Sequence, residues 1–320
     1  MPLASVLNSP GSAGEGIAAC VPHSFNNRKS IRCDSLVPSL QAAHVERSPA
    51  GVAPTATAVA IPLIIGSMIL ITGLNGTLAP HVANEAKRRG YNVSGWDRHA
   101  VPPEDEGASH AWLIDLNPQA IVHLAMGSES WAGQLARFAL MKSIPFVFTS
   151  TAMVFDHVPD GPHAVDSVRT AQDEYGRYKI RCEDSIRNAS SHAMVVRIGW
   201  QIDPDATGNN MLCALDDWQA REGCVAASRA WKPACSFMTD TALALIGLVD
   251  RPKPGVMHLD SNATEGHTFD QIVAALQHSF WRTQWHLRVH EEYVHDQRLK
   301  GGEELVPGLS TRLPSLRSKM

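Results

Sequence analysis

The stretch that most constrains this chain runs from Met68 to Asp97. Met68–Ile71 is a short, wholly apolar run of the kind buried on both faces of a parallel sheet, and it leads directly into Thr72-Gly73-Leu74-Asn75-Gly76-Thr77-Leu78-Ala79. Pro80–Arg89 then reads as a helix, with Lys87, Arg88 and Arg89 in its last turn and Gly90 as its stop. A second strand, Asn92–Gly95, ends at Trp96-Asp97. Together these make a βαβ unit, whose right-handed crossover lays the second strand beside the first.

The glycine spacing has a physical reading. Gly73 permits the tight turn out of the strand, Gly76 lets backbone approach a pyrophosphate at the helix N-terminus, and small Ala79 lets helix and strand pack closely. Asn75, Thr77 and Leu78 complete the turn that would face the phosphates. An ordinary strand-to-helix turn is the alternative, and the acid after the second strand argues against it. Asp97 is placed to accept hydrogen bonds from an adenosine ribose, which favours NAD, whereas adjacent Arg98 suits a 2′-phosphate and NADP; the choice stays open.

The same alternation continues. Glu104–Leu116 reads as a helix, Ala120–Ala125 as a strand, Ser130–Lys142 as a helix, Pro145–Thr149 as a strand, Glu174–Asn188 as a helix and Met194–Ile198 as a strand. Strands separated by helices imply an α/β fold with a doubly wound parallel sheet.

A second constellation is Tyr175-Gly176-Arg177-Tyr178-Lys179. On a helix Tyr175 and Lys179 lie one turn apart on one face, so the ammonium stabilises the phenolate and lowers a pKa normally about 10. Such a tyrosine can protonate a carbonyl oxygen as hydride reaches the carbon. A solvated surface pair is the alternative. Thr149-Ser150-Thr151 closes an apolar strand upstream, and the crevice outside such strand ends is where ligands bind. Thr151 is the first choice to hold a substrate carbonyl, Ser150 the second.

In combination, Gly73–Ala79, the Ser150–His157 run STAMVFDH, Tyr175–Lys179 and Glu183 resemble the extended short-chain dehydrogenase/reductases, and within them the dTDP-4-dehydrorhamnose reductase-like, sugar nucleotide-binding branch, whose strand end is STDYVFDG-like. Further matches are Pro118–Ala125, Val196-Arg197-Ile198-Gly199-Trp200 and Asp240-Thr241-Ala242, so the likeness spans most of residues 68–270. The resemblance implies a Rossmann-type domain over 68–200, to which parts of 231–260 return, and a smaller substrate lobe and tail over 201–320. It implies a catalytic set of Thr151, Tyr175 and Lys179, a cofactor lined by Leu124, Ala125, Met126, Tyr175 and Lys179 as well as the glycine turn, Asp97 and Arg98, and substrate contacts from Ser150 and Asn210. It makes Trp200 a stacking surface for a sugar face, with a core tryptophan as the alternative. The expected activity is NAD(P)H-dependent reduction of a keto group on a nucleotide-activated sugar or similar polar metabolite. An NAD-dependent sugar epimerase and a non-catalytic, dinucleotide-binding regulatory subunit are the alternatives, and a homodimer is compatible with all three. Ala152 and Met153 depart from the family's Asp-Tyr, Met126-Gly127-Ser128 replaces its polar cofactor-lining segment, residues 125–150 are shorter than usual, and the third strand near His99–Val101 is vestigial.

The rest of the chain narrows the partners. With 320 residues, 44% apolar and 19% charged, the chain can bury a sizeable core, and a net charge of −4 gives no general attraction to nucleic acid or anionic membranes. Six cysteines without a CxxC pair suggest neither a disulfide framework nor a zinc site and fit the cytoplasm. Residues 1–67, rich in Ser, Ala, Pro and Gly without apolar periodicity, read as a disordered extension, either a targeting segment or the product of a misplaced start before Met68. The apolar run Ala58–Thr72, broken by Pro62 and Gly66, is shorter than the ~18 to 20 residues of a membrane span. His290-Glu291-Glu292-Tyr293-Val294-His295 resembles a metal-binding helix motif, but its histidines are one residue too far apart to share a face, so no metal is expected. The polar tail Gly301–Met320 reads as wrapped or frayed.

Overall fold

The computed structural model describes residues 66–155 and 159–317. The reading of residues 1–67 as a disordered extension therefore lies almost wholly outside the described residues. So does the first half of the apolar run Ala58–Thr72, whose second half is a strand; no helix among the described residues is long and apolar enough to cross a membrane.

The first part of the chain alternates as β1 (Met68–Thr72), α1 (Ala79–Arg88), β2 (Asn92–Gly95), α2 (Glu106–Leu116), β3 (Ala120–His123), α3 (Glu129–Lys142), β4 (Phe146–Thr151), α4 (Glu174–Ala189) and β5 (Met194–Ile198). There follow β6 (Trp200–Ile202), α5 (Met211–Glu222), β7 (Val225–Ser228), β8 (Trp231–Lys232), β9 (Cys235–Phe237), α6 (Met238–Asp250), β10 (Gly255–Leu259), α7 (Phe269–Ser279), β11 (Leu287–His290), β12 (His295–Asp296) and α8 (Leu309–Arg312).

Six strands form one parallel sheet in the order β10-β5-β4-β3-β1-β2. Ile69, Leu70 and Ile71 are fully buried, as a strand covered on both faces requires, each worth about 1.5–3 kcal/mol of burial. α1 and α6 cover one face through Val82, Ala86, Leu245 and Val249. α2, α3 and α4 cover the other through Leu113, Trp131, Phe138, Cys182 and Ile186. The chain leaves β1 towards β2 on one side and returns to β3 on the other, so the switch point of this sheet lies between β1 and β3, where such folds open a ligand crevice.

Capping fixes the helices where the sequence has cap residues. Asp105, Ser128 and Asp173 accept from the backbone N–H of Ala108, Trp131 and Gly176 at the starts of α2, α3 and α4. Strand ends differ from the sequence reading for long-range reasons. β4 runs on to Thr151, two residues past the expected end, because β5 pairs it through Thr149–Val196, Ser150–Arg197 and Thr151–Ile198. β3 stops at His123 instead of Ala125, because the N–H groups of Leu124 and Ala125 turn to Thr72 Oγ1, both at 3.2 Å.

The smaller lobe packs α5 and α7 around three two-stranded parallel pairs, β6–β9, β7–β11 and β8–β12, with Leu215, Trp218, Phe269, Ile272 and Trp285 in its core. His290 and His295 lie on β11 and β12 and not on a helix, and no cluster of potential metal ligands occurs among the described residues. Residues 301–317 wrap across the fold, placing Val306 in the core under α1 and α6 and Leu309 and Leu313 in that of the smaller lobe.

Candidate active site

The glycine turn takes its shape from Gly73, whose φ of +75° favours glycine and whose hydrogen faces Ala125; a Cβ there would lie 3.0 Å from the Ala125 backbone. Gly76 N–H donates to Gly73 O at 2.8 Å and Ala79 N–H to Gly76 O at 3.3 Å, so Asn75, Thr77 and Leu78 keep N–H groups without a backbone partner. α1 starts at Leu78 with no side-chain cap and no acid in its first turn. Bare glycine backbone, free amides and a helix N-terminus without a competing carboxylate fit a pyrophosphate. The far wall is Leu124, Ala125 and Met126, whose apolar side chain is 48% exposed at the mouth. At the adenosine end, Asp97 Oδ1 accepts from His99 N–H at 2.8 Å, and Arg98 donates to Met126 O.

The second half of the site sits at the carboxyl ends of β4 and β5. Strand β4 delivers Thr151, whose Oγ1 accepts from Met153 N–H at 3.2 Å and is hydrogen-bonded to Tyr175. α4 brings Tyr175 and Lys179 onto one face. Lys179 is 4% exposed; its Nζ donates to Thr149 O at 2.8 Å, lies 4.7 Å over the Phe148 ring and stands 5.9 Å from the Tyr175 ring centroid. Burial pushes Tyr175 up to about 12, opposed by its bond to Thr151, and burial pulls Lys179 down to about 8. The sequence reading had the ammonium lowering the tyrosine pKa. Instead the ammonium is turned to Thr149 O and burial dominates, which leaves Tyr175 a neutral hydroxyl, the form that donates a proton.

Residues 128–280 match the family model of the RmlD substrate binding domain. The structure is similar to the dTDP-4-dehydrorhamnose reductase of Bacillus anthracis in complex with NADP, with TM-score 0.64 and 14% identity over 78% of this chain and 97% of that one. It is also similar to a dTDP-4-dehydrorhamnose reductase from Clostridium acetobutylicum (TM-score 0.62, 16% identity, 73% and 90% covered) and to the Bordetella bronchiseptica enzyme WbmH in complex with NAD+ (0.63, 19%, 75% and 91%). No curated protein matches the sequence. The fold is the one these solved structures share, an α/β fold of the Rossmann type.

Within this fold, Ser150 and Asn210 sit differently from expectation, whereas Trp200 joins an aromatic group, in keeping with the second of its two readings. Ser150 points away from the crevice, since alternation along β4 turns it to α4, where its Oγ donates to Glu183 at 2.5 Å. Asn210 is the N-cap of α5, with Oδ1 accepting from Cys213 N–H at 3.1 Å and Nδ2 donating to Ala206 O at 3.1 Å, so its amide is committed to the backbone. Trp200 is half-buried in an aromatic group with Trp231, Trp218 and Phe269.

Three contacts at the site had no sequence signal. His81 Nε2 and Asp203 Oδ2 lie 2.5 Å apart, and Asn209 N–H donates to Thr77 Oγ1 at 3.3 Å, so residues 203–209 of the smaller lobe rest against the glycine turn. Tyr178, inside the YxxxK motif, accepts from Gly127 N–H at 3.0 Å and so ties the short loop after β3 to α4.

Proposed function

We propose that this chain is an NAD(P)H-dependent reductase of a keto group on a nucleotide-activated sugar or similar polar metabolite. The observation that carries this reading is the meeting of Thr151, Tyr175 and Lys179 at the carboxyl end of β4, in the crevice that also holds the glycine turn. The similar structures named above, two of them reductases and one in complex with NADP, support it.

The amides of Asn75, Thr77 and Leu78 would hold the pyrophosphate, Asp97 and Arg98 would meet the adenosine end, and Leu124, Ala125 and Met126 would wall the groove. When bound, the dinucleotide supplies the hydride. Tyr175, kept protonated by burial, donates its proton to the carbonyl oxygen. Thr151 is anchored by Met153 N–H and orients that oxygen. Lys179, fixed by Thr149 O and by the Phe148 ring, would offset the negative charge left on Tyr175 and help to hold the nicotinamide ribose.

The test is a screen of 4-keto nucleotide sugars and simpler ketones for NAD(P)H consumption, paired with native mass spectrometry of the purified protein. The reading expects a copurifying or added dinucleotide and one reduced product per dinucleotide oxidised. Binding without turnover of any ketone would favour a regulatory subunit, for which the replacement of Asp-Tyr by Ala152 and Met153 is the supporting feature.

A further inference from the structure

Tyr178 follows Tyr175 on α4 by three residues, yet its hydroxyl serves a different end. The residue is 8% exposed and lies in the apolar core that holds Trp131, Phe148 and Cys182. Its Oη accepts the N–H of Gly127 at 3.0 Å and is hydrogen-bonded to Cys182, one turn further along the helix. Burial pushes its pKa up, so the group stays a neutral hydroxyl. Both of these contacts are to the protein, which makes Tyr178 a fixed post and leaves the proton transfer to Tyr175.

What the post holds is the wall of the crevice. Residues 124–128 join β3 to α3 directly and are too few to pack on themselves, so side chains from other elements hold them. Thr72 Oγ1 accepts the N–H groups of Leu124 and Ala125, both at 3.2 Å, and the Ala125 backbone lies against Gly73 of the glycine turn. Met126 O accepts from Arg98, and Ser128 Oγ accepts from Trp131 N–H at 3.3 Å. Gly127 packs so closely on Trp131 that a Cβ there would lie 2.5 Å from the ring, and its N–H goes to Tyr178. That last bond joins the wall to α4, the helix that carries Tyr175 and Lys179. One end of the wall is thus set by β1 and the glycine turn, the other by the helix of the proton donor.

We propose that Tyr178 is a positioning residue for the dinucleotide: by holding Gly127 it sets the wall Leu124–Met126 at a fixed distance from the face of α4 that bears Lys179, and so presets the width of the groove. The proposal rests on the dinucleotide reading above and adds the residue that shapes its site. Tyr178→Phe keeps the ring and removes the acceptor of Gly127 N–H. Titration with NADH and with NADPH, read by tryptophan fluorescence, is expected to show binding weakened about five- to tenfold, the effect of one hydrogen bond lost where the ligand needs it. With a ketone that the wild type reduces, the KM for dinucleotide is expected to rise by the same factor and kcat to stay within about twofold, since Thr151, Tyr175 and Lys179 keep their own bonds. Ile186→Val trims the same core two turns along α4 and serves as the control for a merely structural effect: a lower melting temperature with dinucleotide affinity within about twofold is expected. Hydrogen exchange read by mass spectrometry adds a measurement on the wild type alone, in which residues 124–128 are expected to exchange slowly before any dinucleotide is added. Wild-type affinity in Tyr178→Phe, an equal loss in Ile186→Val, or exchange of residues 124–128 at the rate of an unprotected loop would overturn the assignment and leave the dinucleotide reading standing. Failure of every dinucleotide to bind the wild type would overturn both.

Discussion

His123 and His258 are imidazoles buried in the sheet, and they make the fold sensitive to acid. Thr72 Oγ1 accepts the N–H groups of Leu124 and Ala125, so its own proton goes to His123 Nδ1 at 2.8 Å and the ring carries hydrogen on Nε2, beside the Trp131 ring. Burial pulls His123 down to about 3, aided by the Lys179 and Arg98 charges, and His258 down to about 4, aided by Arg197. Between pH 4.5 and 6.5 the unfolded chain binds protons at these positions that the native chain does not, so stability falls as pH falls through that window. Asp260, pushed up to about 7 by burial against three backbone N–H donors, acts in the opposite sense over the same range, one group against two. Urea unfolding at pH 7 and pH 4.5 checks the net sign: a lower midpoint at pH 4.5 is expected, and equal midpoints would contradict it. Lys179 predicts a second dependence. Its ammonium is lost above about pH 8, so kcat is expected to decline there, well below the range set by an ordinary lysine. At this scale the sequence revealed residue types and spacing but not direction. Thr151 and Ser150 are neighbours in the chain, and only the pleat of β4 against α4 decides which one meets the crevice.

Helix α4 holds its place through a buried ionic knot. Glu183 takes Arg197 in two bonds, Nε at 2.9 Å and Nη2 at 2.8 Å, together with Ser150 Oγ and Arg169, and Arg197 also donates to Val165 O at 3.1 Å. The pair ties α4, which carries Tyr175 and Lys179, to β4 and β5. Glu183→Gln is expected to cost about 3–5 kcal/mol, because it leaves Arg197 buried without its counter-charge, and denaturant unfolding measures it. At the other end of the site, Gly76→Val would place a branched side chain where the turn must stay bare. It is expected to abolish dinucleotide binding in a fluorescence titration while the protein remains folded. Elements were legible where their signals are local: α2, α3 and α4 begin at side-chain caps, and β2 and β5 have the bounds the apolar pattern suggests. The ends of β3 and β4 were not, because Thr72 and the partner strand β5 decide them from far along the chain.

Over the whole molecule, the crevice is built by segments distant in sequence. The glycine turn, the end of β4, one face of α4 and residues 203–209 of the smaller lobe meet there, the last through His81–Asp203 and Thr77–Asn209. The doubly wound sheet was legible from alternating strands and helices. The clasp between the lobes was not, since it depends on how β6 leaves β5. The wrapping of residues 301–317 was one of the two readings of the polar tail, but where it docks was not legible, since two buried leucines and the Arg312–Asp240 pair are too few to form a period. The central claim is that this assembly reduces a carbonyl with Tyr175 as the proton donor. Tyr175→Phe keeps the ring and its packing and removes only the hydroxyl. The decisive measurement is single-turnover oxidation of bound NAD(P)H by a ketone that the wild type reduces. A loss of roughly 10²- to 10⁴-fold in rate, with dinucleotide affinity unchanged, is the predicted result; full activity in Tyr175→Phe would contradict the account.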